Sequence, residues 1–279
     1  MTSATFGPAW SASLARGPEA MLREWLAFAL EACDAADEIA LRHFRRDLDV
    51  ERKPDRTFVT VADQGIEREI RSRILARYPD HGLVGEEYGT EAGAGTTRWF
   101  IDPIDGTHNY IRGVPLFGTL LGVEHEGELQ VGVISAPAMR ERWYAYRGGG
   151  AWSVGPDGER RIRVSRVAAL EDAQLLYGSR TETVASGYMP GFVATVAAAW
   201  RERGFGDFWG YALVAEGAAE AMFETGMSTW DLAGPLVVIE EAGGRVTDVF
   251  GERRMDAPSF VGSNGLLHEE LLRRLRARD

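Results

Sequence analysis

Residues 100–110 read FIDPIDGTHNY, an apolar, strand-like run followed by two aspartates three positions apart around a proline, then Gly-Thr. Asp, Pro and Gly are all good turn formers, so a plain turn at a strand end accounts for the composition. The proline adds geometry. Pro103 sets its own φ and restricts Asp102 to extended backbone, so the strand is expected to end in a sharp, rigid bend.

Working outward, FVTVA runs as a strand into Asp63, and IEREIRSRIL behind it has a helical pattern. Asp63 therefore stands at or near a helix N-terminus, where free N–H groups favour a carboxylate. GLVGEE is a further strand, ending in Glu86 and Glu87. Upstream, Pro18 suits a first helical position, and apolar residues recur at helical spacing from Met21 to Phe44, which predicts a long amphipathic helix. Residues 1–17 are rich in Ser, Thr, Ala and Gly without period and are expected to form a loose tail. Downstream, LFGTLLGVEHEGELQVGVISAPA and RWYAYRGGGAWSV read as a meander of strands separated by Gly and charged turns. AQLLYGS is another strand, while FVATVAAAWRERG, WGYALVAEGAAEAMFE and residues 231–241 read as helices. RGGGAW is a turn between strands, since it lacks the strand-to-helix context of a nucleotide loop. Strands and helices alternating in this way predict an α/β sandwich. A single domain is expected over residues 18–279, in two packed lobes of about 18–152 and 153–279.

Composition narrows the function. At 279 residues, 45% hydrophobic and 26% charged, the chain can bury a full core. The formal net charge of −11 argues against nucleic acid or an anionic membrane surface as partner. An acidic protein that handles an anionic substrate needs a local cation. Lys53 is the only lysine, which reads as a coding habit, and Cys33 is the only cysteine, so no intramolecular disulfide is available and a cytoplasmic home is expected. Neither a membrane span nor a signal peptide is indicated.

Asp63, Glu86, Asp102, Asp105 and Asp231 each fall at the end of an apolar strand or the start of a helix. Taken singly, each reads most simply as a turn or capping acid. Together in one place they would repel unless cations lay between them, and Mg²⁺, a hard ion that takes oxygen ligands, suits them. Zinc does not, because one cysteine and five scattered histidines show no ligand spacing. The bend at Pro103 would let Asp102 and Asp105 face one metal from two sides. Gly106 would let backbone approach an anionic ligand with no Cβ in the way, and the N–H groups of Gly106 and Thr107 suit such an anion.

The segments VTVAD (59–63), GEE (85–87), DPIDGT (102–107) and WDLAG (230–234) resemble, in order and spacing, the inositol monophosphatase family of Mg²⁺-dependent, lithium-sensitive phosphatases, over roughly residues 20–270. Within it, DGTHNYIRGVP, GFGDFWGYALVAEGA and STWDLAG are most similar to the histidinol-phosphate phosphatases. The resemblance implies a layered αβαβα sandwich of the inositol monophosphatase and fructose-1,6-bisphosphatase type. It also implies two or three Mg²⁺ ions. Asp102 would bridge two of them, with Glu86 and the carbonyl of Ile104 completing one site and Asp105 and Asp231 the other. Glu86 and Thr107 would orient and deprotonate a metal-activated water, with Asp63 acting indirectly, by holding the Thr107 hydroxyl or a weaker third ion. A homodimer, a small phosphorylated substrate and a step of histidine biosynthesis are implied as well.

For the substrate end, Glu224 and Asp207 occupy positions that resemble substrate-contacting ones in the inositol enzymes, and the match to Asp207 there is typically small and uncharged. A carboxylate at this position suits a substrate with a cationic tail. Asp207 serves equally well as the cap of a helix beginning near Phe208. Ser179 and Arg180 are further candidates for the same pocket, and His108 is expected to be solvated or structural. A catalytically silent relative is the competing class, but such relatives usually lose a ligand and here all five acids are present. The expected activity is therefore Mg²⁺-dependent hydrolysis of a phosphate monoester, histidinol phosphate first and an inositol or other sugar phosphate second.

Overall fold

The computed structural model describes residues 17–46, 50–52 and 58–277. Apart from Gly17, the expected N-terminal tail lies outside the described residues, as does Lys53. The first helix, α1 (Pro18–His43), begins on its proline and buries Leu22, Trp25, Leu26, Ala29, Cys33 and Ala36 along one stripe. Strands β1 (Val50–Arg52) and β2 (Phe58–Thr60) pair antiparallel, and α2 (Val61–Arg77) follows directly. The chain then runs through β3 (Gly82–Gly85), β4 (Gly89–Glu91), β5 (Thr97–Asp105), the short α3 (Thr107–Ile111), and the strands β6 (Gly118–His125), β7 (Glu128–Ala136), β8 (Glu141–Tyr146), β9 (Gly150–Gly155) and β10 (Gly158–Ile162). These strands form one sheet in the order β10-β9-β8-β7-β6-β5-β3-β4.

The remaining elements are β11 (Gln174–Tyr177), α4 (Arg180–Ala185), α5 (Met189–Ala198), β12 (Arg201–Arg203), α6 (Asp207–Glu216), β13 (Ala221–Thr225), α7 (Thr229–Glu241), β14 (Arg245–Thr247), β15 (Ser259–Ser263) and α8 (His268–Leu275). Their strands make a second sheet in the order β12-β11-β13-β15-β14. Helices α1 and α2 cover one face of the first sheet, packing on Trp99, Ile101, Val123 and Val133. Helices α6 and α7 fill the space between the two sheets. Helices α5 and α8 close the outer face of the second sheet over Leu175, Phe223 and Val261. The result is the expected αβαβα layering. Because both faces of the first sheet are covered at its centre, β5, β6 and β7 are buried at successive positions even though β6 runs antiparallel to both neighbours.

Several segment readings need correction. The helix expected through WGYALVAEGAAEAMFE stops at Glu216, where Gly217 takes the left-handed conformation (φ 76°). AMFET is then the buried strand β13, held between β11 and β15. Its Ala, Met and Glu favour a helix, and pairing on both edges overrides that preference. Likewise the helix through FVATVAAAW ends at Ala198, and the following Arg-Glu-Arg is the edge strand β12. The lobe boundary placed near residue 152 falls inside β9, and the first sheet continues to Ile162. Finally, the Pro103 bend does not end its strand. Register shifts between Asp102, paired with Leu120, and Asp105, paired with Gly118, so DPID is a bulge within β5.

Candidate active site

Two helix starts and one bulge aim the carboxylates. Thr60 caps α2 in a reciprocal box, with the backbone N–H and hydroxyl of Thr60 donating to Asp63 Oδ2 at 2.8 and 2.5 Å. Ser228 caps α7 in the same manner, its N–H donating to Asp231 Oδ2 at 2.8 Å. A capping box therefore uses one oxygen of each aspartate and leaves the other to face inward. The bulge carries Asp102 and Asp105, anchored where the Thr119 hydroxyl donates to the carbonyl of Pro103. Gly122 and Gly132 let α7 lie on the sheet: a Cβ on Gly122 would stand 2.5 Å from Ala233 Cβ, and one on Gly132 would stand 2.2 Å from the carbonyl oxygen of Gly234.

These acids converge. Burial, then the charges of Glu86 and Asp105, pushes Asp102 well above the usual carboxylate range. Burial raises Asp231 to about 7 against the pull of its Ser228 bond and of the adjacent Asp102 carboxyl. Asp63 is raised to about 6, again chiefly by burial. Asp105 is raised by burial and then by Asp207. Among the described residues no three of these side chains yet stand as a closed ligand set. Their chemistry nevertheless fits a hard cation, because Asp63 Oδ1 and Asp102 Oδ1 are buried without any hydrogen-bond partner. A buried carboxylate oxygen with no donor is costly, and a cation offers what the protein does not.

Some expected roles shift. The Thr107 hydroxyl donates to the carbonyl of Ile104 at 2.9 Å, while Asp63 is engaged by Thr60. The expected Asp63 hold on the Thr107 hydroxyl is thus replaced by a Thr107–Ile104 bond, in which the hydroxyl turns back to a carbonyl three residues away, while Asp63 Oδ1 stays without a donor. Gly106 has φ +80° and caps α3, and a Cβ there would stand 2.9 Å from the Leu116 carbonyl, so glycine is required.

Asp207 is not the helix cap. Gly206 holds the cap position without a side-chain bond, and the N–H of Phe208 donates to Asp105 Oδ2 at 2.6 Å. Asp207 itself has φ 56°, and its carboxylate accepts from Asn109 Nδ2 at 3.3 Å. It lines a cavity of about 140 Å³ together with Asp105, Glu224, Asp231, Glu182 and Thr225. Burial raises Asp207 above its usual range, and the nearby charge of His108 opposes this. Glu224 is raised to about 8, first by burial and then by Asp207, while Tyr211 donates its hydroxyl to Glu224 Oε2 at 2.7 Å. Ser179 and Arg180 do not line this cavity. Ser179 caps α4 by accepting from the N–H of Glu182, and Arg180 is exposed.

Sequence reasoning missed two carboxylates. Glu67, on α2, is fully buried and accepts from the N–H of Glu87 at 2.6 Å, the N–H of Tyr88 at 3.1 Å and Arg71 Nε at 2.8 Å. It thereby fixes the turn that carries Glu86. Glu182 reaches the substrate-side cavity instead of Arg180. Neither lies in a motif. No local signal marks them, because the glycines that make room for them, Gly85 at Glu67 and Gly226 at Glu182, are brought there only by the fold.

Comparisons with known proteins agree on one family for the chain. The inositol monophosphatase family model matches residues 21–279. The histidinol-phosphatase of Mycobacterium tuberculosis is 42% identical over 260 residues, which is 92% of this chain and 100% of that protein. The histidinol-phosphatase of Streptomyces coelicolor is 41% identical over 251 residues, 88% of this chain and 94% of that one. Among solved structures, the Thermotoga maritima IMPase superposes with a TM-score of 0.81 at 32% identity, covering 90% of this chain and 96% of its own.

Proposed function

This chain belongs to the inositol monophosphatase family and is a phosphoric monoester hydrolase, and from that premise we propose that its substrate is L-histidinol phosphate, cleaved to L-histidinol and phosphate in histidine biosynthesis. The observation that carries this reading is Asp207, a carboxylate lining the cavity beside Asp105 and Asp231. An acid next to a phosphate site repels an anionic substrate unless the remainder of that substrate is cationic. Histidinol phosphate has an amine, and an imidazole that can also take a proton. The names of the two histidinol-phosphatase relatives support the same substrate.

We assign Mg²⁺ to Glu86, Asp102, the carbonyl of Ile104, Asp105 and Asp231, with Asp63 at the margin. When bound, the cation polarises the phosphoryl group and makes the attacking water more acidic. The chain's own residues supply the rest. Glu86 takes the proton of the water. Thr107 steadies the Ile104 carbonyl through its hydroxyl, and the left-handed Gly106 presents backbone N–H groups to the phosphate oxygens. Asp207 and Glu224 hold the tail. The same premise carries a homodimer, which sedimentation would check, and a cytoplasmic location. Among the described residues no helix is long and apolar enough to cross a membrane.

The test compares kcat/KM for L-histidinol phosphate and inositol 1-phosphate in wild type and Asp207→Asn. A charge-assisted contact to a buried amine is worth about 1.5–3 kcal/mol, so the preference for histidinol phosphate should fall roughly tenfold to a hundredfold in the variant. A wild type that prefers inositol 1-phosphate refutes the substrate assignment.

A further inference from the structure

The cavity beside Asp207 holds two polar groups that the proposed reaction does not use. Glu182, in the first turn of α4, lines it, and its carboxylate lies over Gly226, where even a Cβ would come within 3.1 Å of Oε2. Gly226 adopts φ +83°, so the loop between β13 and α7 passes beneath Glu182 with no side chain to displace it. Asp207 acts electrostatically on Glu182, which shows that the two carboxylates share one field; His108 opposes both. Thr225 also lines the cavity. It is 1% exposed, and its hydroxyl has no hydrogen-bond partner in the protein. A buried hydroxyl without a partner costs free energy, so its retention in a cavity wall points to a group arriving from outside.

We propose that Glu182 and Thr225 complete the subsite begun by Asp207, so that the pocket takes a phosphate monoester whose short tail carries a cation and a separate hydrogen-bonding group. The two carboxylates approach the cavity from different elements, α4 and α6, and so bracket a charge rather than meet it from one side. The Thr225 hydroxyl lies on β13, next in sequence to Glu224, and so offers a contact to an uncharged donor or acceptor deeper in the wall. The inference rests on the hydrolase reading and deepens it: it names the residues that distinguish a cationic, two-headed tail from a polyhydroxylated ring.

The experiment uses the full chain with Mg²⁺ and measures kcat/KM for L-histidinol phosphate against p-nitrophenyl phosphate, whose tail is uncharged. In Glu182→Gln the ratio between the two substrates should fall roughly tenfold, mainly through the KM for histidinol phosphate, the size expected for losing one charged contact. Thr225→Val should lower the ratio by a smaller factor, and Thr225→Ser, which keeps the hydroxyl, should restore it. Melting temperatures on each variant establish that the fold is kept. If wild type prefers the cationic tail and both Glu182→Gln and Thr225→Val retain the full preference, the subsite inference is overturned while the substrate reading stands. A wild type with no preference for the cationic tail overturns both.

Discussion

Replacing Glu67 by Gln keeps the size of a fully buried side chain and removes its charge, yet the structure leaves the amide no acceptable orientation. Oε1 of Glu67 serves Arg71 Nε at 2.8 Å and the N–H of Tyr88 at 3.1 Å, and Oε2 serves the N–H of Glu87 at 2.6 Å. A glutamine that places its oxygen at the Oε1 position sets its NH₂ against the N–H of Glu87. In the opposite orientation the NH₂ faces both Arg71 and Tyr88. The side chain cannot retreat, because the backbone of Gly85 packs on it so closely that a Cβ there would stand 2.1 Å from Oε1. Arg71, whose side chain is 10% exposed, also loses its buried counter-charge. Breaking a buried pair of this kind costs about 3–5 kcal/mol. For a chain of this size that lowers Tm by roughly 5–9 °C. The turn that carries Glu86 loses its anchor at the same time. If about a third of the lost energy is felt at Glu86, the Mg²⁺ concentration for half-maximal activity rises about tenfold. Differential scanning fluorimetry and a Mg²⁺ titration of phosphate release measure the two effects. A Glu67→Gln protein with Tm within 2 °C of wild type and an unaltered Mg²⁺ response would falsify the assignment of Glu67 as the anchor of that turn.

Asp102→Asn should lower turnover by several orders of magnitude while the Mg²⁺-free protein melts no lower than wild type, since the neutral amide relieves the cluster of a carboxyl whose ionised form burial and the neighbouring acids disfavour; near-normal turnover in the folded variant would remove Asp102 from the metal site. In the metal-free protein, burial holds Asp63, Asp231 and Glu224 at about 6, 7 and 8, so the native state binds more protons than the unfolded chain and stability falls as pH rises through that window. His268, lowered to about 4 by burial, costs stability only as pH falls below the value of a free imidazole, about 6.5, so the acids control the range above it. Between about pH 6.5 and 8.5 the loss is on the order of 3 kcal/mol, or roughly 5 °C in Tm, and saturating Mg²⁺ should remove the part due to Asp63 and Asp231 while leaving that of Glu224; a flat profile without metal contradicts the buried acid cluster. Gly122→Ala forces a Cβ to within 2.5 Å of Ala233 Cβ and should cost about 1–3 kcal/mol while shifting α7, and with it Asp231. Urea melts showing wild-type stability would mean that α7 does not sit as close as described.

What could be read along the chain was whatever depends on neighbours in sequence. The long α1 followed from its apolar spacing and Pro18, and its observed span of Pro18–His43 differs little from the expected one. Asp63 at a helix start and the helix carrying Asp231 are likewise interactions across three or four residues, which local chemistry dictates. The AMFET segment failed because Ala, Met and Glu prefer a helix locally, and the strand exists only through partners at residues 175–177 and 259–263. The long contacts around the site were hidden for the same reason. Phe208 donates to Asp105 from 103 residues away, which takes the capping role from Asp207 and leaves that carboxylate in the cavity. Glu67 looks like any helical glutamate until the turn at residues 87–88, about twenty positions on, folds over it. The sequence by itself determined which residue types stand at the ends of which elements, because caps, turns and periodicity act over one or two helical turns. Only the tertiary structure decided which carboxylates are buried together, which oxygens lack a partner and which acid faces the substrate, because charge, desolvation and packing act through space without regard to separation along the chain.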